Sequence, residues 1–373
     1  TDEEVHDEAL SNLEKMHALA PGEDGEFQRA ELHRQLRESP AYVALKRAFD
    51  CWCALWFWPL DQLAAAPKPS TFTALSPDAI EAAERIARER RFFHWELEFP
   101  DVFAAKTVGD QSATGFSAII GNPPWDISKP NSKEFFSSID PLYRTYGKQD
   151  ALARQKGYFT AAPADEERWL DYCAFFKSMS NWIDAAGHPF GDRVTTKTDE
   201  DGTVKSTHDC PLGERGRDSF ASSKARHAAW AKRRAADICY ADPEHPFVHQ
   251  GSADINLYKC FTEMAQALLA VDGRLGFILP SGLYTDHGTT ALRTLLLARC
   301  RWEWLFGFEN RDKVFDIDSR FKFNPVLIVK GGQTAVIRTA FMQRDPDDWA
   351  LGVAEALAVP YARAQVERFS PRS

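Results

Sequence analysis

The chain of 373 residues is 44% hydrophobic and 27% charged, with a formal net charge of −9. These proportions are ordinary for a folded protein, and the length suits two domains or one large domain with an insertion. No apolar run reaches the ~20 residues of a membrane-spanning helix, so we expect no membrane partner. The acidic first residues lack a signal-peptide pattern, which predicts a cytoplasmic protein.

The seven cysteines are scattered, and only Cys51 and Cys53 lie close together. No second pair is placed to complete a zinc site with them. We therefore expect reduced, buried thiols and no metal.

Residues 1–105 are predicted to be mostly helical. Ser76, Pro77 and Asp78 combine an N-cap, a proline at the first helical position and an acid in the first turn, which predicts a helix start. The tryptophan-rich stretch 51–58 is interpreted as a buried helix end.

The pattern changes beyond residue 105, where short apolar runs alternate with amphipathic stretches. Glycines 331 and 332 separate two such runs, which predicts a hairpin. We therefore expect an α/β, Rossmann-like sheet with an antiparallel hairpin edge over 106–345. The predicted elements are buried strands at 116–120, 275–279 and 302–308, helices at 254–270 and 289–299, and hairpin strands at 325–329 and 334–341.

A large insertion at 127–250 interrupts this domain. It is expected to be mostly helical, with a flexible polar loop around 191–207.

The segment Gly121-Asn122-Pro123-Pro124-Trp125 directly follows the first predicted strand. Ligands of open α/β sheets bind at the carboxyl ends of strands, so this loop lies where chemistry is expected. The side-chain oxygen of Asn122 and the carbonyl of Pro123 can accept hydrogen bonds from an exocyclic amine, and Trp125 offers a stacking face. The alternative is a plain turn, because Asn-Pro and Pro-Pro are common in loops.

Three stretches together resemble gamma-class adenine-N6 DNA methyltransferases. Residues 116–125 resemble motif IV, residues 254–261 with 272–280 resemble the helix and strand that follow it, and residues 310–332 resemble motif VIII. The stretches at 249–258 and 304–311 resemble the large single-chain branch of this class. That branch includes type IIG restriction–methylation enzymes and the methyltransferases of BREX and DISARM phage defence. The resemblance covers roughly residues 90–370, with the insertion matched loosely.

This resemblance implies S-adenosyl-L-methionine as cofactor and double-stranded DNA as partner, with other defence-system subunits as further partners. Asn122, Pro123, Pro124 and Trp125 would be catalytic. A motif VIII aromatic would pack against a flipped base beside Trp125, with Phe315 the first candidate and Phe321 and Phe323 the alternatives. The implied cofactor residues are Asp101, Gly121 and Asn122, although Asp101 is equally compatible with a plain surface position.

The family's glycine turn, which follows the first strand and holds the cofactor, is not found between Thr1 and Phe116. A target-recognition domain is also missing, and residues 346–373 are interpreted as a linker toward one. We therefore expect an incomplete sheet and a fragment.

Basic residues cluster between Arg215 and Arg234. Lys232, Arg233 and Arg234 are candidates for contacts to DNA phosphates, and a solvated helix face is the alternative.

Three other functions stay open. Cytosine-N4 methylation uses the same amine geometry, often with Ser in place of Asn122. Methylation of RNA or of a protein glutamine is a further rival, and a DNA-binding defence subunit without methylation activity is the alternative from another class.

Overall fold

The structure is a computed structural model. It describes residues 23–59, 75–103, 114–185, 193–198, 204–210, 255–350 and 352–369, with short pieces at 11, 62, 65–67, 107–108, 111–112, 247 and 249–251.

The described helices are α1 Glu23–Glu38, α2 Pro40–Ala54, α3 Pro77–Arg90, α4 Trp95–Glu98, α5 Pro100–Phe103, α6 Ser132–Ser137, α7 Lys148–Ala161, α8 Pro163–Ala185, α9 Leu257–Leu268, α10 Gly282–Thr285, α11 Thr290–Arg299, α12 Val353–Leu357 and α13 Arg363–Phe369. The described strands are β1 Thr107–Val108, β2 Gln111–Ser112, β3 Phe116–Gly121, β4 Arg193–Thr198, β5 Val204–Cys210, β6 Leu269–Pro280, β7 Cys300–Glu309, β8 Lys322–Lys330, β9 Val336–Gln343 and β10 Val359–Ala362.

The described residues divide into two compact units. The helical unit contains those of 20–94 and 129–245, and the sheet unit contains those of 95–128 and 246–373.

The helical unit is built around the tryptophan-rich end of α2 and the helix α3. The Ser76 hydroxyl accepts a hydrogen bond from the Ala79 N–H at 3.3 Å, which confirms the predicted helix start. A short 3₁₀ turn, Leu55–Phe57, follows α2, so the predicted buried helix end is also confirmed. The core of the unit comprises Cys51, Ala54, Leu55, Trp56, Trp58, Ala66, Ala79, Ala82, Ala83 and Ile86.

The prediction of a flexible loop around 191–207 is wrong. Strands β4 and β5 pair antiparallel there, from Arg193 opposite Cys210 to Thr198 opposite Val204. The segment is rich in threonine and valine, and β-branched residues favour extended backbone despite their polar neighbours.

The sheet unit contains a six-stranded mixed sheet in the order β10-β9-β7-β8-β6-β3. Strands β3 and β6 pair parallel, as do β7 and β9, while β8 runs antiparallel between β6 and β7. All five predicted strands of this sheet are present, with β6, β7 and β8 longer than expected. The sixth strand, β10, lies in the stretch 346–373 that was predicted to be a linker, so that prediction is wrong. Alternate residues of β7 enter different core clusters, with Leu305 in one and Trp304 and Phe306 in the other, because successive side chains point to opposite faces.

The predicted hairpin across Gly331 and Gly332 is wrong, because β8 and β9 do not pair with each other. Both glycines have positive φ angles, +95° and +73°, and they carry the chain past the start of β7 to its other edge. The buried Thr334 hydroxyl fixes this crossing. It accepts from the Trp302 N–H at 3.0 Å and donates to the Cys300 carbonyl at 2.7 Å.

The first predicted strand is present, but the expectation that it is buried is wrong. β3 is the last strand of the sheet within the described residues, and Ile120 is 90% exposed. An apolar sequence run indicates a strand, but only its neighbours decide whether both of its faces are covered. Within the described residues β3 pairs only with β6, and the incomplete sheet stays a prediction.

We expect Thr334→Val to destabilise the sheet unit, because it leaves a buried N–H and a buried carbonyl on β7 without their partner. The free energy of unfolding should fall by about 2–6 kcal/mol, since two groups lose their partner and each costs ~1–3 kcal/mol. Urea unfolding followed by circular dichroism measures the change. Thr334→Ser keeps the hydroxyl and should stay within ~1 kcal/mol of wild type, so equal stability of the two variants would contradict this role.

Candidate active site

The carboxyl ends of three strands meet at one edge of the sheet unit. Gly121 at the end of β3 pairs with Phe277 of β6, so β3 and the parallel β6 end toward the same edge, with β6 continuing to Pro280. Phe323, near the start of the antiparallel β8, pairs with both Pro280 of β6 and Phe308 of β7. The loop that follows β3 and the loop between β7 and β8 therefore emerge at the same edge, where ligands of α/β sheets bind.

The loop from Asn122 to Asp126 is tied down at both ends. β3 holds its start, and the Asp126 carbonyl accepts a hydrogen bond from the Leu257 N–H at 3.0 Å. The next residues add a bridge between Ile127 and Asn256 and a bond from the Ser128 N–H to the Ile255 carbonyl at 2.9 Å. A loop without helix or strand geometry is thereby fixed to the start of α9.

The four predicted catalytic residues differ in exposure. Asn122 and Pro124 are exposed, Pro123 is buried and Trp125 is half-buried. The buried Pro123 anchors the loop, while the Asn122 amide faces solvent and is available to a ligand.

Trp125 packs against both core clusters of the sheet unit. Its indole Nε1 is buried and has no hydrogen-bond partner among the described residues. Its ring lies 6.4 Å from the ring of Phe321 at an interplanar angle of 34°. Trp125 is therefore partly a packing residue. Phe321, its aromatic neighbour, continues the aromatic surface toward solvent.

The three motif VIII aromatics occupy different environments. Phe323 is buried and stacks on Phe308 with ring centroids 5.1 Å apart, and Phe315 lies edge-on to Phe323 at 4.8 Å. Phe321 is 49% exposed and neighbours Trp125. The structure thus brings Phe321 and Trp125 together, and it packs Phe315 and Phe323 against the core of β7 and β8.

Asn310 shapes the loop that carries these aromatics, and its role was missed in the sequence. Its buried side chain donates to the carbonyls of Phe315 and Ile317 at 3.0 and 3.2 Å and accepts from the Phe315 N–H at 3.0 Å. Its own N–H donates to the Phe321 carbonyl at 3.0 Å. The available signal was an asparagine directly after an apolar strand, since its side chain readily bonds nearby backbone.

A second polar network holds the segment that precedes α9. The buried Glu263 carboxylate accepts from the backbone N–H of His249 at 3.0 Å and from the Gln250 side chain, and the buried Lys259 ammonium donates to the Gln250 carbonyl at 2.9 Å. These bonds fix residues 249–251 against α9, the helix whose start ties down the Asn122 loop.

Tyr258 also lies at the start of α9. Its hydroxyl is buried without a partner among the described residues, and burial raises its pKa above the usual value. The phenol is therefore neutral and unavailable as a base.

The structure gives little detail about the contacts of the remaining predicted site residues. Gly121 ends β3, and a Cβ there would meet the Phe277 ring at 3.6 Å, an ordinary contact. Asp101 lies in α5, but its side chain is outside the described residues, as are Lys232, Arg233 and Arg234.

Comparison with known protein families shows the family of the chain. The family described as Eco57I restriction-modification methylase matches residues 48–162 and 241–315, just over half of the chain. The chain belongs to this family. It is therefore a DNA methyltransferase of the restriction–modification type, and the first matched segment contains the whole loop from Asn122 to Trp125.

The two matched segments of the Eco57I family are separated by residues 163–240, which lie inside the predicted insertion. A search of curated proteins found no significant match. Among the residues that the structure describes, no helix is long and apolar enough to cross a membrane.

We expect Trp125→Ala to lower the free energy of unfolding by about 2–4 kcal/mol, because a half-buried Trp contributes less than the ~3–5 kcal/mol of a fully buried one. Trp125→Phe should stay within ~1 kcal/mol of wild type, because it keeps an aromatic ring and removes a buried N–H that has no partner. Thermal and urea unfolding of both variants test this. A Phe variant as unstable as the Ala variant would show that the indole N–H has a stabilising partner.

Proposed function

We propose that this protein transfers a methyl group from S-adenosyl-L-methionine to the N6 amine of adenine in double-stranded DNA, in a restriction–modification or phage-defence system. Membership of the Eco57I family shows DNA methylation. To it we add adenine N6 as the methylated position, S-adenosyl-L-methionine as the cofactor and the gamma-class, single-chain branch as the subfamily. The observation that carries it is an exposed Asn122 on a loop fixed at both ends, at the same sheet edge as the aromatic pair Trp125 and Phe321.

The residue types on the loop suit an amine substrate. The lone pair of an exocyclic amine is delocalised into the base, so the nitrogen attacks poorly unless its two N–H groups are held by acceptors. The Asn122 side-chain oxygen is one acceptor, and the Pro123 carbonyl is the other, since proline pins the backbone at that point. The cofactor supplies an activated methyl group, so the work of the protein is positioning.

The aromatic pair suits a base taken out of the duplex. The exposed face of Phe321 and the adjoining part of Trp125 provide a stacking surface next to the loop. Stacking on an aromatic side chain contributes ~1–3 kcal/mol per base and offsets part of the cost of unpairing. Asn310 positions Phe321 through its bond to the Phe321 carbonyl.

The described residues fit the target-base half of such a site better than the cofactor half. Gly121 and Asn122 line the carboxyl end of β3. Ahead of β3, the described part of the chain comprises helices and the two-residue pair β1–β2, with no strand that leads through a glycine turn into a helix. We propose that Gly121 and Asn122 form one side of the cofactor pocket at this edge.

We expect Asn122→Ala to abolish methyl transfer by this protein without changing its folding, because the exposed amide makes little contribution to packing. Asn122→Asp should retain partial activity, since one acceptor oxygen survives at the same place. Transfer of labelled methyl from S-adenosyl-L-methionine to duplex DNA measures both variants.

Two controls sharpen this test. DNA premethylated at adenine N6 should not accept label, whereas a label recovered at cytosine N4 would replace the proposed base by the rival one. A near wild-type rate for Asn122→Ala would remove the loop from the mechanism, and absence of transfer by wild type under all conditions would favour a DNA-binding subunit.

A further inference from the structure

Three basic side chains converge on one buried carboxylate at the carboxyl edge of the sheet unit. Glu309 ends β7, and its carboxylate is almost fully buried. Its Oε2 atom lies 3.1 Å from Arg311 Nε and 3.4 Å from Arg344 Nη2, and its Oε1 atom lies 3.6 Å from Lys322 Nζ. A buried carboxylate is stabilised by such partners, but one partner would already neutralise it.

The three cations around Glu309 reach solvent. At this carboxylate they face a single anion, and the side chains of Arg311, Lys322 and Arg344 are 62%, 41% and 49% exposed. Asp318 forms a two-pronged pair with Arg320. Asp345, the residue after Arg344, accepts the Asp347 N–H at 3.0 Å.

The cluster adjoins the aromatic pair. Lys322 directly follows Phe321, and Arg311 directly follows Asn310, whose N–H bonds the Phe321 carbonyl. Strands β8 and β3 are separated only by β6, and Lys322 lies at the edge of the sheet from which the Asn122 loop emerges.

We propose that Arg311, Lys322 and Arg344 form a binding site for phosphates of duplex DNA next to the target base, with Glu309 as the residue that positions them. This inference rests on the proposed function, which places the base at Asn122. Guanidinium groups bind phosphate oxygens through paired hydrogen bonds, and Lys322 adds a third positive charge. Gathering the three side chains on Glu309 reduces the conformational entropy that they lose when DNA binds.

The test measures the affinity of the 373-residue chain for a fluorescent duplex of mixed sequence at several salt concentrations. We expect Arg311→Gln, Lys322→Gln and Arg344→Gln each to weaken binding several-fold and to reduce the salt slope by ~1, since each removed phosphate contact releases fewer counterions. Arg311→Lys keeps the charge and should keep the slope. Arg301→Gln is the matched control, because Arg301 pairs with Asp272 at 2.9 Å near the opposite end of β7.

Combined neutralisation requires a variant that keeps the fold. Replacing all three cations by Gln together with Glu309→Gln removes the carboxylate that would otherwise be buried without partners, and thermal unfolding verifies that the fold is retained. The salt slope of this folded variant should fall by about 2–3.

Wild-type slopes in the folded single and combined variants would overturn the proposal, and so would a wild-type chain whose binding to duplex shows no salt dependence. Methyl transfer to duplex DNA is measured separately on the same protein. Reduced slopes without methyl transfer would retain the phosphate site and reject the proposed function, whereas transfer with unchanged slopes would do the reverse.

Discussion

The antiparallel pairing of β8 with both β6 and β7 is the constraint on which the site depends. Phe323 near the start of β8 is in register with the last residue of β6 and with Phe308 of β7, so the loop that precedes β8 lies beside the carboxyl ends of the parallel strands. Because β8 is antiparallel to both neighbours, β6 and β7 run in the same direction, and the aromatic loop at 311–321 shares an edge with the Asn122 loop. The glycine turn at 331–332 and the Thr334 hydroxyl are what place β8 and β9 on opposite sides of β7.

Rigidity at this edge comes from polar groups that are buried and satisfied. Asn310 fixes the aromatic loop at 311–321 through its side chain. Glu263 fixes the segment before α9. The start of α9 in turn holds the Asn122 loop through backbone hydrogen bonds. Buried polar groups are costly unless paired, so each of these side chains specifies one local arrangement. A methyltransferase that works by positioning an amine benefits from such loops, because their geometry is set before the base arrives.

Charge has a local role that the overall balance conceals. The chain carries a net charge of −9, which argues against a polyanionic partner if taken alone. The structure nevertheless concentrates three cations around Glu309, and one of them, Lys322, directly follows Phe321 of the aromatic pair. Net charge describes solubility and long-range fields, whereas recognition of a phosphate depends on a few groups that converge at one point.

The sequence by itself determined five strands of the mixed sheet, the start of α3 and the approximate limits of α9 and α11, because these follow from local periodicity and capping. It also placed the Asn122-Pro123-Pro124-Trp125 loop directly after β3. Only the tertiary structure decided which strands pair, that β3 has an exposed face, and that Phe321 rather than Phe315 lies beside Trp125. Strand order depends on contacts between residues far apart in the chain, such as Thr334 with Trp302. Local patterns carry no information about them, since the same apolar run forms a central strand or an edge strand according to its neighbours.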